Sequence, residues 1–164
     1  MHFAGQSPKT LPFVVCYPAM PVSLNRFLRA QEKDYDAALG EIRWGRKRSH
    51  WIWYIFPQLK GLGYSRNAEY YGIANLAEAT AYLRHPVLGA RLIEISQALL
   101  ELPGDDPEPV MGYPDDLKLK SSMTLFASVT GTNPVFRKVL NKFFGGSMDN
   151  RTLELLNDLL HQNG

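Results

Sequence analysis

The stretch Arg43-Trp44-Gly45-Arg46-Lys47-Arg48-Ser49-His50-Trp51-Ile52-Trp53-Tyr54-Ile55-Phe56-Pro57-Gln58-Leu59-Lys60-Gly61-Leu62-Gly63 decides how the chain is read. It sets four basic residues against the apolar, aromatic hexad Trp51 to Phe56. Of the 18 lysines and arginines in the chain, Arg43, Arg46, Lys47 and Arg48 fall within six positions, and without them the formal charge would turn from +2 to −2. The basic character is therefore local. Burying one large apolar side chain stabilises a fold by about 1.5–3 kcal/mol, so the hexad must enter a core. The polar residues at its edges, Lys47, Ser49, His50 and Gln58, are then held at a protein wall, and a site is expected there.

Ser49 can cap a helix running from His50 to Phe56, which Pro57 ends because its nitrogen has no hydrogen to donate. A buried strand is the rival, since the hexad is rich in β-formers and periodicity does not separate the two over so short a run. A strand needs partners, and residues 13 to 17 alone look able to supply one, so helix is the reading taken. Upstream, Leu24, Phe27 and Leu28 and then Tyr35, Ala38, Leu39 and Ile42 repeat an i, i+3, i+4 stripe, giving two short amphipathic helices, the second weakened by Gly40 and stopped at Gly45. Downstream, Ser65 starts a helix carrying Tyr70 and Tyr71, and Asn75 with Glu78 matches a capping box whose helix reaches Arg84. Leu88, Leu92, Ile95, Leu99 and Leu102 make the seam of a longer helix. An acidic, proline-rich loop spans Pro103 to Pro109. Pro114, Asp115 and Asp116 open another helix, with Leu119, Met123 and Phe126 inward, so Ser121, Ser122 and Thr124 cannot all face away from the protein. Asn133-Pro134 begins a helix carrying Phe136, Val139, Leu140 and Phe143, ended by Gly145 and Gly146. A last helix follows Asp149 with Leu153, Leu156 and Leu160. The expected architecture is all-α: a single compact domain over 23–164 of eight or nine short helices in an irregular topology.

At 164 residues the chain suits one domain able to bury roughly 70% of its unfolded surface. The single Cys16 fits a reducing, cytoplasmic setting, and no Cys/His cluster has zinc spacing. No apolar run approaches the roughly 18 residues of a spanning helix. The opening residues 1–22, with Pro8, Pro12, Pro18 and Pro21, lack the pattern of a secretory signal and read as a flexible or loosely docked arm, with Met20 a second candidate start.

The candidate chemistry falls into two groups. In the first, the capped helix start behind Arg46, Lys47 and Arg48 outlines an anion site, where a phosphate gains about 0.3–1 kcal/mol from the helix dipole before charge-assisted bonds are counted. A solvated basic turn is the plain alternative. His50 can shuttle a proton, although a lone histidine is more often structural. Trp51 and Trp53 lie about 200° apart on a helix, so one can be core while the other offers a ring for stacking. Gln58 can read an amide or base edge, or cap its own helix. In the second group, Asp115, Lys118 and Ser122 share a helix face with Ser121 beside Lys118, a set suited to acid-base work or to gripping a sugar phosphate, or to plain ion pairing. The scattered histidines His2, His50, His85 and His161 suggest no metal, and no cofactor is implied.

The long phrase Gly45 to Gly63, His85-Pro86-Val87-Leu88-Gly89-Ala90-Arg91-Leu92, and Asp115 to Phe126 resemble a small bacterial family of uncharacterised all-helical domains, often mislabelled calpastatin. The resemblance runs from about Leu24 to Leu160 and implies a compact helical domain with an unusual topology; it brings no catalytic residues. Calpastatin itself is disordered and repetitive, unlike this striped chain. A more distant similarity, in helical class, size and a basic Gly-Arg turn, is to YbiA-like domains that act on ADP-ribose derivatives or cleave N-glycosidic bonds.

Together these readings give two ligand hypotheses and one without a ligand. In the first, a hydrolase acts on a phosphorylated nucleoside or ADP-ribose-like metabolite: Arg46, Lys47 and the N–H groups after Ser49 hold phosphate, Trp51 or Trp53 stacks, and His50 with Asp115 or Asp116 moves protons, while Lys118, Ser121 and Ser122 close over the ligand. In the second, a non-catalytic module binds a nucleotide or single-stranded nucleic acid through the same surface, although a near-neutral chain does not favour nucleic acid. In the third, the chain is a helical adaptor.

Overall fold

The structure is a computed structural model describing residues 23–162. The arm expected over 1–22 lies outside the described residues. Within the described residues nine helices follow in order: α1 (Asn25–Arg43), α2 (Ile52–Ile55), α3 (Arg66–Tyr71), α4 (Leu76–Arg84), α5 (Leu88–Leu100), α6 (Glu108–Met111), α7 (Asp115–Ala127), α8 (Val135–Phe144) and α9 (Asn150–Gln162). Among the described residues there is no strand, only an isolated parallel bridge between Leu59 and Ile73. No helix among them is long and apolar enough to cross a membrane.

The two short helices expected over the first stripe are one helix of 19 residues. Gln31 joins them: it sits at i+4 from Phe27 and i−4 from Tyr35, and although polar it is buried. Its amide donates to Tyr54 O and to the Tyr82 hydroxyl, both at 2.8 Å, so the apolar stripe continues through a satisfied polar residue. Gly40 is exposed within the helix and adds no break.

The helix expected over His50–Phe56 shrinks to one turn, Ile52–Ile55, whose cap position is Trp51 with no side-chain cap bond. Ser49 does not cap it: its N–H and hydroxyl both donate to Glu41, and the cap position falls two residues later. The hexad is core nonetheless, with Trp51, Ile52, Tyr54, Ile55 and Phe56 buried.

α8 packs on α7 and α5, and α5 packs in turn on α1 and α4. Phe126, Phe136 and Tyr82 meet in this centre, with ring centroids 5.3 Å and 5.8 Å apart along the chain Tyr82, Phe126, Phe136. α4 and α5 approach closely at their junction: a Cβ on Gly89 would lie 2.0 Å from Leu83 O, so only glycine fits there. Because α8, α4, α6, α9 and α2 all lean on α7, that helix is buried around most of its girth. Ser121, Ser122 and Thr124 are accordingly buried. Ser121 and Thr124 donate to the carbonyls four residues back, at 3.1 and 2.8 Å.

Two ends differ from the sequence reading. α6 forms at the close of the Pro103 to Pro109 loop. On α9, Leu153 and Leu160 are exposed, and the buried residues are Thr152 and Leu156. The Asp149 carboxylate caps this helix, accepting from Thr152 N at 2.9 Å.

Candidate functional site

α1 ends in a Schellman turn, the left-handed closure that glycine allows: Gly45, at φ 81°, donates to Ile42 O at 2.8 Å and Arg46 N donates to Glu41 O at 3.0 Å. Glu41 then organises the loop with its side chain as well. Its carboxylate accepts from Arg48 N, from Ser49 N at 2.8 Å, from Ser49 Oγ at 2.9 Å and from the Trp51 indole at 3.2 Å. Partial burial pushes the Glu41 carboxyl up, but the hydrogen bonds from Arg48, Ser49 and Trp51 outweigh it and hold the group below the usual carboxylate range. The N–H groups of Arg48 and Ser49 are thus occupied by a resident carboxylate. With α2 reduced to a single turn, no helix start is left to bind an external anion at this place.

Lys47 is anchored too. Its backbone N–H donates to Val110 O at 2.7 Å, and its ammonium reaches Asp115 Oδ2 at 2.9 Å, donates to Ser49 O and lies 4.9 Å from the Trp51 ring centre. The same Asp115 carboxylate takes Lys118 Nζ at 3.3 Å, and that ammonium lies 5.1 Å from the Trp53 ring. One carboxylate therefore bridges two lysines, each over one tryptophan. The Lys47 side chain is 7 % exposed and the Asp115 side chain 18 %, so this cluster fastens the basic loop to the start of α7.

The structure brings Lys47, Asp115, Lys118, Trp51 and Trp53 together. Trp51 is fully buried, which leaves Trp53, half-buried, as the accessible member of the pair. Gln58 and Trp53 line a hollow of about 10 Å³ with Tyr71, room for about one water and no more. His50 is exposed, and among the described residues no hydrogen bond or ion pair joins its imidazole to Asp115 or Asp116. Asp116 accepts from Leu117 N at 2.9 Å. Ser122 is fully buried with its hydroxyl unpartnered, and Ser121 is 7 % exposed, so neither hydroxyl is presented to a surface ligand. Among the described residues no group of three or more His, Cys, Asp and Glu could hold a metal ion.

A residue absent from the sequence-derived candidates stands out instead. Trp44 is 88 % exposed. It shares a groove of about 450 Å³ with Gly40, Glu41, Arg46 and Arg48. Arg46 also lines a second cleft of about 740 Å³ with Asp106, Glu108 and Tyr113, the last 75 % exposed. Arg46 and Arg48 are exposed and form no ion pair among the described residues. A signal for Trp44 did exist in the sequence: it follows the last stripe residue, Ile42, by two positions, which on a helix turns it about 200° from the core face.

Residues 21–156 match a family described as a protein of unknown function, DUF1810. The chain belongs to this family. It is similar to the conserved hypothetical protein Rv1873 from Mycobacterium tuberculosis, known from a crystal structure, with 50% sequence identity and a TM-score of 0.79 over 81% of this chain and 95% of that one. No curated protein matches. Neither description states an activity.

Proposed function

We propose that this DUF1810 domain is a non-catalytic module that binds a nucleotide-type anion in the groove at the end of α1. The aromatic ring of the ligand stacks on Trp44, and its phosphate meets Arg46 and Arg48. The observation that carries this reading is the exposed Trp44 beside two arginines without carboxylate partners. Stacking on an exposed aromatic contributes about 1–3 kcal/mol per base, and arginine forks match phosphate oxygens. Lys47 supports the site from behind through Asp115 and does not itself hold phosphate. A hydrolytic role for His50, Asp115 and Asp116 is not part of the proposal. Asp115 is neutralised by two lysines, and a general acid-base pair needs groups within hydrogen-bond reach of one reacting centre.

Titrating the protein with AMP, ADP-ribose and short single-stranded oligonucleotides, and following tryptophan emission, tests this directly. Saturable quenching that Trp44→Ala abolishes and Arg46→Gln weakens about tenfold is expected. Emission that does not respond to any of the three, or responds equally in Trp44→Ala, refutes the site.

A further inference from the structure

α1 offers the Trp44 ring little cover. Trp44 N donates to Gly40 O at 3.0 Å, so the helical register runs through this pair, and residue 40 is the neighbour four positions back on the same face. A leucine or methionine at such a spacing packs on an aromatic ring, whereas glycine has no side chain to do so. The other two α1 residues that line the groove add little: the Glu41 carboxylate is engaged with the loop, and Ala37 carries only a methyl. A glycine inside a helix is less stable than alanine, and the usual structural reasons for one are missing here. Gly45 has a left-handed φ of 81°, and Gly89 has Leu83 O where a Cβ would sit. Gly40 has no positive φ, and a Cβ on it would meet no atom within 4 Å among the described residues. The missing side chain leaves instead an open floor in the groove of about 450 Å³ that Trp44, Arg46 and Arg48 also line.

We propose that Gly40 is the selectivity-determining residue of the Trp44 groove: the aromatic ring of the ligand occupies the space that a side chain at position 40 would fill, with one face on Trp44 and its phosphate on Arg46 and Arg48. This inference rests on the anion-binding reading of the same groove and narrows its ligand to nucleoside phosphates. A sugar phosphate of equal charge meets the same arginines but has no flat ring to set into the space over Gly40. Any larger residue at position 40 closes that space from within, by packing on the ring the ligand needs.

The test uses the full chain with AMP and ribose 5-phosphate as probes, followed by calorimetry, in the wild type and in Gly40→Ala and Gly40→Leu. In the wild type AMP binds at least about tenfold more tightly than ribose 5-phosphate, the size of one stacked base. Gly40→Leu weakens AMP by a similar factor, leaves the two probes nearly equal and lowers the quenching of tryptophan emission by acrylamide, because the leucine covers Trp44. Gly40→Ala raises the melting temperature by about 2–4 °C and weakens AMP less than the leucine does. Loss of affinity with a gain in stability is a combination that a merely structural glycine does not give. Absence of AMP binding in the wild type overturns the groove reading and this inference with it. AMP binding that Trp44→Ala abolishes but Gly40→Leu leaves unmoved overturns this inference alone, as does a fall in melting temperature in Gly40→Ala.

Discussion

Replacing Glu41 by alanine removes the carboxylate on which the whole basic loop hangs. Four donors lose their acceptor: the N–H groups of Arg48 and Ser49, the Ser49 hydroxyl and the Trp51 indole. The first three sit on exposed residues and recover most of their energy from water. The indole belongs to a fully buried side chain, and its lost bond costs about 1–3 kcal/mol outright. Adding a remainder of about 1 kcal/mol for the charge-assisted bonds that tighten the loop gives a loss of roughly 2–4 kcal/mol. Urea denaturation of Glu41→Ala, with Glu41→Gln as a variant that keeps an acceptor for the indole, measures this. The glutamine should lose about half as much.

The same residue predicts a pH dependence with a definite sign. Its folded carboxyl lies below its unfolded value, so its contribution is present above the unfolded value of roughly 4.3 and is lost as pH falls through the folded one. The gap in stability between wild type and Glu41→Gln should therefore be full near pH 6 and shrink towards pH 3. A loss below about 0.5 kcal/mol in Glu41→Ala, the size of an ordinary surface substitution, would refute the account of the loop. So would a gap that is the same at both pH values.

Two further perturbations probe the core. Arg26 reaches Glu78 Oε1 at 2.7 Å and Gly72 O at 3.1 Å, with both side chains nearly inaccessible, so Arg26→Met strands a buried carboxylate and should cost about 3–5 kcal/mol, of which Arg26→Met/Glu78→Met recovers a large part; denaturant midpoints of the single and double variants check it. Tyr35, Tyr54 and Tyr82 are all pushed well above the usual tyrosine range, first by burial and, for Tyr35 and Tyr54, next by the Glu94 and Asp34 carboxylates they donate to. These phenols stay protonated in the folded state while those of the unfolded chain ionise. Stability is then full below about pH 10 and falls above it, by up to about 1.4 kcal/mol per pH unit for each tyrosine. A urea midpoint equal at pH 9 and pH 11 would contradict this.

The helical stripes were legible because their spacing is local. Leu88, Leu92, Ile95 and Leu99 on α5, and Phe136, Val139, Leu140 and Phe143 on α8, are all buried, as the periodicity requires. What the sequence hid depends on partners far along the chain. The unity of α1 rests on Gln31, whose acceptors lie 23 and 51 residues away, so in sequence it reads as a polar interruption. The short α2 has a similar cause: Ser49 has the chemistry of a helix cap, but its N–H and hydroxyl both donate to Glu41, eight residues earlier, which ties it to the end of α1, and the helix begins only after Trp51. Asn75 does cap α4, accepting from Glu78 N at 2.9 Å, yet the Glu78 side chain turns inward to Arg26 and takes Ala74 N in place of Asn75 N. Trp44 lies outside the apolar run, and its place about 200° from the stripe of α1 is the only local mark of a surface ring.

The basic residues divide into those held by partners and those left in solvent, and Arg46 and Arg48 are two of the latter that share one groove with an exposed tryptophan. Arg26 is engaged by Glu78, Lys47 by Asp115, and Lys142 by the carbonyls of Leu100 and Leu102 at the end of α5. To bind a ligand, each of these would have to abandon a buried or half-buried partner, leaving a charge or carbonyl unsatisfied at a cost of several kcal/mol for the charges. Arg46 and Arg48 carry no such obligation, because the loop holds them through backbone bonds to Glu41 while their guanidinium groups stay in solvent. Their anchoring and their availability thus come from different atoms. On the side of Arg46 lined by Asp106 and Glu108 an incoming phosphate meets repulsion. On the other side the one carboxylate, Glu41, is already encircled by four donors, and the arginines and the Trp44 ring are what a ligand finds. The placement of the acids, more than the number of bases, is therefore what favours the Trp44 groove in the proposed anion-binding reading.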